Sequence, residues 1–227
     1  MTGFSVTTSG VAMTILITAG PTREPIDPVR YLSNRSSGKM GYALADVAAG
    51  HDNRVILVSG PTDINVPDNV DFIPVETAEE MYLAVQKYIN KADVAIFAAA
   101  VADYTPETVV DQKIKKSDDT LSLKLVRTKD ILGSAREVFG FDGVLVGFAA
   151  ETENVLQNAR KKLLKKQCDF VVANDVSRSD IGFSSDENEV TLVFKDHNEA
   201  LSKADKHEIA HGIIHKASDL KNLKLNN

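Results

Sequence analysis

Short runs of β-branched and apolar residues alternate along this chain with longer stretches whose apolar positions recur every three or four residues. The first run, Thr14-Ile15-Leu16-Ile17-Thr18, closes on Gly20-Pro21. Comparable runs at 54–59, 72–75, 94–99, 144–148, 170–173 and 190–194 read as strands. Helical period marks 38–49, 77–91, 130–139, 154–166 and 203–217. Ser36 or Ser37 stands where the first helix needs a cap, and Thr77 with Glu80 three residues on has the capping-box pattern. In the helix at 154–166, Val155, Leu156, Ala159, Leu163 and Leu164 form the apolar stripe. The run at 94–99 is apolar on both faces and is expected at the centre of a sheet. Alternation of this kind predicts an α/β chain, a doubly wound, mostly parallel Rossmann-like sheet with helices on both faces.

Two stretches break the pattern. Residues 103–119 hold no period and carry Pro106 and a lysine cluster, which reads as a mobile loop; 121–126 alternates like an edge strand. Residues 1–13 read as a flexible lead, 14–218 as one domain, and the lysine-rich 219–227 as a frayed tail.

Composition narrows the class of protein. The chain has 227 residues, 43% hydrophobic and 26% charged, which is ordinary globular material. Thirty-two acidic against 26 basic residues give a net charge of −6, which does not favour a nucleic-acid partner. No apolar run approaches the roughly 18–20 residues that cross a bilayer, so no membrane association is expected. The single cysteine, Cys168, fits a reducing compartment and a cytoplasmic protein. It precedes a buried run and reads as a small core residue rather than a nucleophile. His207, His211 and His215 fall at i, i+4 and i+8, but no cysteine or carboxylate set completes a metal site; they read as a solvated helix face.

Candidate chemistry lies where strands end, because ligands of open α/β sheets bind beyond the carboxyl ends of the strands. Three loops follow such ends, at 20–37, 98–116 and 147–152. The first has no G-x-G-x-x-G fingerprint, and Ser33 and Met40 stand where a Walker A loop needs glycine and a hydroxyl. Pro21, Pro25 and Pro28 stiffen it. Arg23, Arg30 and Arg35 offer bidentate binding of phosphate or carboxylate; the alternative is that they are solvated or pair with Glu24 and Asp27. Lys113, Lys115 and Lys116 lie near Pro106, where a lid could close over a polyphosphate; the alternative is a solvated charged loop.

The segment from Ile17 through Gly20-Pro21-Thr22-Arg23-Glu24-Pro25-Ile26-Asp27-Pro28-Val29-Arg30, followed by Ser33-Asn34-Arg35-Ser36-Ser37-Gly38-Lys39-Met40-Gly41, resembles the opening signature of phosphopantothenoylcysteine synthetases. The similarity continues through Ala99-Ala100-Val101-Ala102-Asp103-Tyr104, Lys113-Ile114-Lys115-Lys116, Thr128-Lys129-Asp130-Ile131-Leu132, Gly147-Phe148-Ala149-Ala150-Glu151-Thr152, Ala173-Asn174-Asp175 and Gly182-Phe183-Ser184-Ser185-Asp186. The motifs are closer to the bacterial, CTP-using branch, and the length fits a free-standing form without the decarboxylase to which many bacterial synthetases are fused.

The resemblance implies a ligase that joins 4′-phosphopantothenate to L-cysteine, with CTP as co-substrate, Mg2+ on the triphosphate, and a homodimeric assembly. It further implies catalytic roles for Asn34, Lys113 and Arg30, with Arg30 and Asn34 on the acyl intermediate and Lys113 neutralising charge at the reacting phosphate. Nucleotide contacts are implied for Ala99, Asp103, Lys113, Thr128, Asp130, Phe148, Lys162 and Lys166, and substrate contacts for Gly20, Thr22, Arg30 and Asn34. Residue types alone leave other readings open: a turn for Asn34, a helix cap for Asp103, a core ring for Phe148, and a solvated face for Lys162 and Lys166. A nicotinamide oxidoreductase of the same fold is the rival activity, weakened by the missing glycine fingerprint and the lack of a Tyr-x-x-x-Lys pair. A non-catalytic nucleotide-binding protein is the other alternative.

Overall fold

A computed structural model describes residues 12–115, 120–177 and 185–225. The expected lead at 1–13 therefore lies almost wholly outside the described residues, as do Lys116 and Gly182, Phe183 and Ser184.

The central sheet has eight strands. In chain order they are β1 (Thr14–Ala19), β4 (Arg54–Ser59), β5 (Val70–Pro74), β6 (Val94–Phe97), β9 (Val144–Glu151), β10 (Phe170–Asp175), β11 (Glu187–Val193) and β12 (Asn198–Asp205). Two short ribbons stand apart, β2 (Arg23–Pro25) with β3 (Tyr31–Ser33), and β7 (Tyr104–Pro106) with β8 (Leu125–Arg127). The helices are α1 (Lys39–Gly50), α2 (Ala78–Tyr88), α3 (Ile131–Glu137), α4 (Val155–Lys166) and α5 (Lys206–Leu225).

Across the sheet the order is β12-β11-β10-β9-β6-β1-β4-β5, with β11 and β12 antiparallel and the other six parallel. Counting only the parallel strands, the order is 3-2-1-4-5-6, the dinucleotide-fold arrangement. The chain builds outward from β1 to β5, then returns to lay β6 on the other side of β1. The reversal opens a crevice between β1 and β6. As the two-sided apolar pattern predicts, β6 is central and wholly buried.

Alternation along each strand sends its side chains to two opposite layers. Ile15, Ile17, Val94, Ile96, Val144, Val146, Phe170 and Val172 pack with α1 and α5 on one face. Leu16, Ala95, Phe97 and Leu145 meet α2 and α3 on the other, where Val171 and Ala173 meet α4. Burying each large apolar side chain contributes about 1.5–3 kcal/mol. Both faces of the sheet are therefore sealed, and its strand ends carry the accessible polar groups. Among the described residues, no helix is long and apolar enough to cross a membrane.

Local signals set several boundaries. Thr77 and Glu80 form the expected capping box, the Thr77 hydroxyl accepting from the Glu80 amide at 3.1 Å. The first helix differs: its cap is Gly38 at φ 80°, not a serine. A side chain there would bring a Cβ within 2.7 Å of the Thr62 methyl, so glycine satisfies both the left-handed backbone and the crowding. Within the described part of the loop, 103–115, the chain is less irregular than expected, because β7 pairs with β8. The edge strand read at 121–126 is narrower and belongs to that ribbon, not to the main sheet.

Three further expectations change. In α4, Ala159 and Leu163 are buried, but Leu156 and Leu164 are 46% and 60% exposed, so the stripe is narrower than its period suggests. Residues 198–205 form β12, whose mixed polar and small side chains carry no strand signal of their own. The last helix starts at Lys206 and continues past Ala217 to Leu225, so the tail is helical where fraying was expected. Lys221 pairs with Asp93 and Lys224 with Asp169, each at 2.8 Å, which ties that tail to the amino end of the sheet.

Candidate active site

Two clefts open at the carboxyl ends of β1, β6, β9 and β10. The larger, about 510 Å³, is lined among others by Thr18, Ala99, Asp103, Thr128, Asp130, Phe148, Lys162 and Lys166. The smaller, about 350 Å³, includes Asn34, Arg35, the start of α1, Asn174, Asn188 and Lys206. Both are lined by Ala99, Val101, Asp103, Phe148 and Lys162, so they adjoin across a common floor.

The loop after β1 is built to hold that floor. Pro21 bridges to Ala100, extending the β1–β6 pairing by a step. The Thr22 hydroxyl accepts from the Ala102 amide at 3.0 Å, and the Thr18 hydroxyl accepts from Ala99 at 3.3 Å. The Ala100 carbonyl accepts from the Thr22 amide at 3.3 Å and from the Asn34 side-chain amide at 2.9 Å. Ser33 donates to the Thr22 carbonyl at 2.8 Å. The β2–β3 ribbon thus folds the loop back and delivers Asn34 to the rim of the smaller cleft. Buried Glu24 anchors the ribbon by accepting from the Ala78 amide at 2.9 Å, at the N-terminus of α2. Gly41 lets α1 lie close to β1, since a Cβ there would be 2.5 Å from that of Ala19.

The three arginines of the loop have separate fates. Arg23 lies over the Tyr31 ring at 4.8 Å. Arg30 forms an ion pair with Asp27, its Nε donating to Asp27 Oδ2 at 3.1 Å and its Nη2 to the Ile114 carbonyl at 3.1 Å. Asp27 also accepts from the amides of Val29, Arg30 and Ile114 at 2.9, 3.0 and 3.1 Å. The Arg30 guanidinium, with the backbone donors, holds the Asp27 carboxyl far below the ordinary carboxylate range. Asp27 therefore ties Ile114, just after Lys113, to the first loop, and the Ile26 carbonyl holds the segment before it by accepting from the Val110 amide at 3.3 Å. Only Arg35 lines a cleft.

In the larger cleft the side chains hold one another. Lys162 donates to the Phe148 carbonyl at 2.6 Å. Burial pushes its ammonium below the usual lysine value, and nearby Lys166 adds to that, against opposing pulls from Cys168 and Glu151. Lys166 is paired with Asp130, which also caps α3 by accepting from Gly133 at 2.9 Å. Burial alone would raise the Asp130 carboxyl, but Lys166 and the Gly133 amide outweigh it and the net shift is downward. Thr128 donates to the Ala102 carbonyl at 2.6 Å, and its amide to the Asp103 carbonyl at 3.0 Å. Cys168, beneath α4, is pushed up to about 12 by burial, which leaves an inert thiol.

The structure therefore brings Ala99, Asp103, Thr128, Asp130, Phe148, Lys162 and Lys166 together in one cleft and sets Asn34 in its neighbour. Lys113 is exposed, and neither it nor Arg30 lines these clefts. Thr22 is completely buried, with its hydroxyl committed to Ala102, and Gly20 is buried in the same turn. Both lie beneath the floor of the clefts, and neither is among the residues that line them.

Sequence reasoning gave no role to Asn174 or Lys206. Asn174 is the last residue but one of β10, and the strand-end rule that selected Asp103 could have found it. Lys206 opens α5 after an antiparallel strand, and no local signal marks it. It is 7% exposed, donates to the Ser185 carbonyl, and is pushed down to about 8 by burial and the nearby charge of Lys39. The histidines of α5 have protein partners: His207 meets Asp46 at 2.9 Å and His215 meets Asp219 at 3.2 Å, while the His211 ring meets that of His51 at a tilt and that of His207 edge-on. Among the described residues, no group of three or more His, Cys, Asp or Glu could hold a metal ion.

Residues 11–220 match the family described as DNA/pantothenate metabolism flavoprotein C-terminal domain. The chain is 47% identical over 208 residues to the coenzyme A biosynthesis bifunctional protein CoaBC of Bacillus subtilis (strain 168), covering 91% of this chain and 51% of that protein. Against the protein of the same name from Escherichia coli (strain K12) it is 46% identical over 192 residues, covering 83% and 47%. The chain spans about half the length of the curated relatives it matches. Among solved structures, it resembles the C-terminal domain of a CoaBC protein at 42% identity and a TM-score of 0.78, covering 95% of this chain and 97% of that one.

Proposed function

The chain belongs to the family of DNA/pantothenate metabolism flavoprotein C-terminal domains, and from that premise we propose that it is a phosphopantothenate–cysteine ligase using CTP. The observation that carries the reading is the pair of adjoining clefts at the sheet's reversal, one lined by lysines and the other by Asn34. A carboxylate does not react usefully with an amine, because its leaving group would be oxide. The pantothenoyl carboxylate instead attacks the α-phosphorus of CTP; an O–P bond forms, and pyrophosphate leaves with the electron pair. The cysteine nitrogen then adds to the acyl carbon, and CMP leaves. Family membership disfavours the oxidoreductase reading, and nothing in the site supports it.

In this reading the larger cleft receives the nucleotide. Lys162 and Lys166 face the phosphates, Asp103 accepts from the ribose, and Phe148 packs beside the base. Mg2+ arrives on the triphosphate. Preorganised cations act at the developing negative charge without reorganising during the step. Lys166 exchanges Asp130 for phosphate when the nucleotide binds. Asn34 directs its amide to the acyl group at the common floor, held in register by its bond to Ala100. Lys113 closes from the neighbouring segment over the reacting phosphate. Arg30 acts as a positioning residue through Asp27 and Ile114, which supports the base of that segment.

We also read the protein as a cytoplasmic homodimer. Val29, Tyr31, Tyr104, Val109, Leu125 and Val126, on and around the two ribbons, are exposed large apolar residues beside the site, a concentration that suits burial against a second copy. Sedimentation at micromolar concentration checks the assembly. For the reaction, release of pyrophosphate from CTP and phosphopantothenate is measured, then amide formation on adding cysteine. Absence of both products would refute the ligase, and equal turnover with ATP would refute only the CTP preference.

A further inference from the structure

The turn between β11 and β12 lies at the amino end of the sheet, because Val193 pairs with Val171 near the start of β10. It is remote from both clefts, and it holds a histidine between two acids. His197 Nδ1 lies 2.8 Å from Asp196 Oδ1, and Nε2 lies 3.0 Å from Glu199 Oε1. A neutral imidazole has one N–H and one lone pair, so it satisfies one carboxylate and turns its lone pair on the other. Only the imidazolium donates to both. The ring also lies flat on Phe194, with centroids 4.5 Å apart and planes 3° from parallel, and Phe194 meets Phe170 in the core at 5.2 Å. A cation over an aromatic face is attracted by the ring quadrupole. Packing and the two acids therefore favour the same charged state.

Neighbouring elements close on the same turn. Glu199 also accepts from Lys216 of α5 at 2.9 Å. Arg160 of α4 donates to the Lys195 carbonyl at 3.0 Å and to Asn198 Oδ1 at 3.1 Å. The charged groups around the ring are thus Asp196 and Glu199 against Lys216 and Arg160, with Lys195 the remaining charge of the turn. Of these types only histidine changes charge near neutral pH. The strand that starts here, β12, has no fully buried residue along its length, so it relies on its ends. We infer that His197 is a pH-operated latch: as an imidazolium it ties the turn through Glu199 to α5 and holds the first residues of β12 on β11, and loss of its proton lets that end of β12 fray. Asp196 first, and Glu199 next, hold the ring above the ordinary histidine value. A group raised in the folded state contributes stability that is complete below its unfolded value, about 6.5, and is lost as pH rises through the folded value. The latch is therefore shut in acid and opens as the solution turns alkaline. His197 is half exposed, so the opening is local rather than a global unfolding. The strand it frees is the one that hands the chain to Lys206 at the smaller cleft.

Two measurements on the full chain test this. The first is an NMR titration of the histidine rings in isotope-labelled protein, with the His197 signal assigned by its loss in His197→Gln. Its midpoint should lie above the ordinary value, and both ring nitrogens should carry protons below it. Asp196→Asn and Glu199→Gln should each bring the midpoint down, and Asp196→Asn does so without touching the Lys216 pair. The second is amide hydrogen exchange at 198–201, corrected for intrinsic base catalysis. Protection there should fall about two- to fivefold as pH rises through the His197 midpoint, the range of an exposed ion pair. In His197→Gln that pH dependence should vanish, a profile that loss of packing alone would not flatten. A midpoint at or below the ordinary value, or one that neither carboxylate variant moves, would overturn the charged state and the latch with it. Protection with the same pH dependence in wild type and His197→Gln would overturn the latch and leave His197 a charged surface residue only.

Discussion

Lys162→Met separates function from stability at a single side chain. Lys162 lines both clefts and donates to the Phe148 carbonyl at 2.6 Å, with burial holding its ammonium below the ordinary lysine value. Methionine keeps an unbranched stem of similar bulk and removes the charge. Two charges 4 Å apart at an effective dielectric near 20 interact by about 4 kcal/mol. Loss of a preorganised donor at developing charge costs about 10²–10³ in rate. Pyrophosphate release at saturating phosphopantothenate should fall within that range. Stability should move the other way or not at all. A depressed lysine means that the folded protein binds the proton less tightly than the unfolded chain. Its penalty is present below the folded pKa and is relieved as pH rises through it. Methionine removes that penalty at neutral pH, while the lost bond to Phe148 costs about 1 kcal/mol, offset by water entering the open cleft. The melting temperature should stay within about 4 °C of wild type or rise, given roughly 2–4 °C per kcal/mol at this size. Calorimetry and a coupled pyrophosphate assay on one preparation decide the matter. A fall in melting temperature of about 10 °C alongside the lost activity would make Lys162 a structural residue and refute the reasoning.

Asn34→Asp should still release pyrophosphate but make little amide, because a carboxylate beside the acyl group opposes the charge that builds as the amine attacks; mass spectrometry of quenched reactions would detect the persisting acyl-cytidylate. Lys113→Ala should slow pyrophosphate release by about 10²–10³-fold without changing the melting temperature, and full activity would remove Lys113 from the mechanism. Asp27→Asn should raise protease cleavage near Ile114 and flatten the acid limb of stability. The depressed Asp27 carboxyl contributes stability above the ordinary value near 4, which is lost as pH falls through its lower folded value. Arg136→Ala removes a side chain bonded to the carbonyls of Phe141, Gly143 and Gln167 and paired with Asp169 at 2.8 Å. It should cost about 3–5 kcal/mol, or roughly 6–20 °C of melting temperature, with activity at 20 °C retained.

The sequence by itself determined the layers of this protein and where its chemistry would lie. Period-two and period-3.6 patterns are set by local geometry, so the parallel strands, the capping box at Thr77 and Glu80, and the central position of β6 were legible without the fold. The strand-end rule together with the motif resemblance named seven residues that line one cleft, from Ala99 to Lys166. Tertiary structure alone decided which polar side chains are free to act. Arg30 offered a guanidinium to any anion, and packing committed it to Asp27; Thr22 lay in the motif, yet its hydroxyl holds the floor from below. Leu156 and Leu164 fitted the stripe of α4 but stay largely exposed. Residues 198–205 became a strand only because β11 offered an edge, and the lysines of the tail stayed helical because Asp93 and Asp169 met them. Asn174 and Lys206 stand 32 positions apart with nothing local to link them. They share a cleft because β11 and β12 return the chain antiparallel beside β10 and start α5 at the carboxyl end of the sheet. Such a juxtaposition depends on long-range strand pairing, and no window of local sequence encodes it.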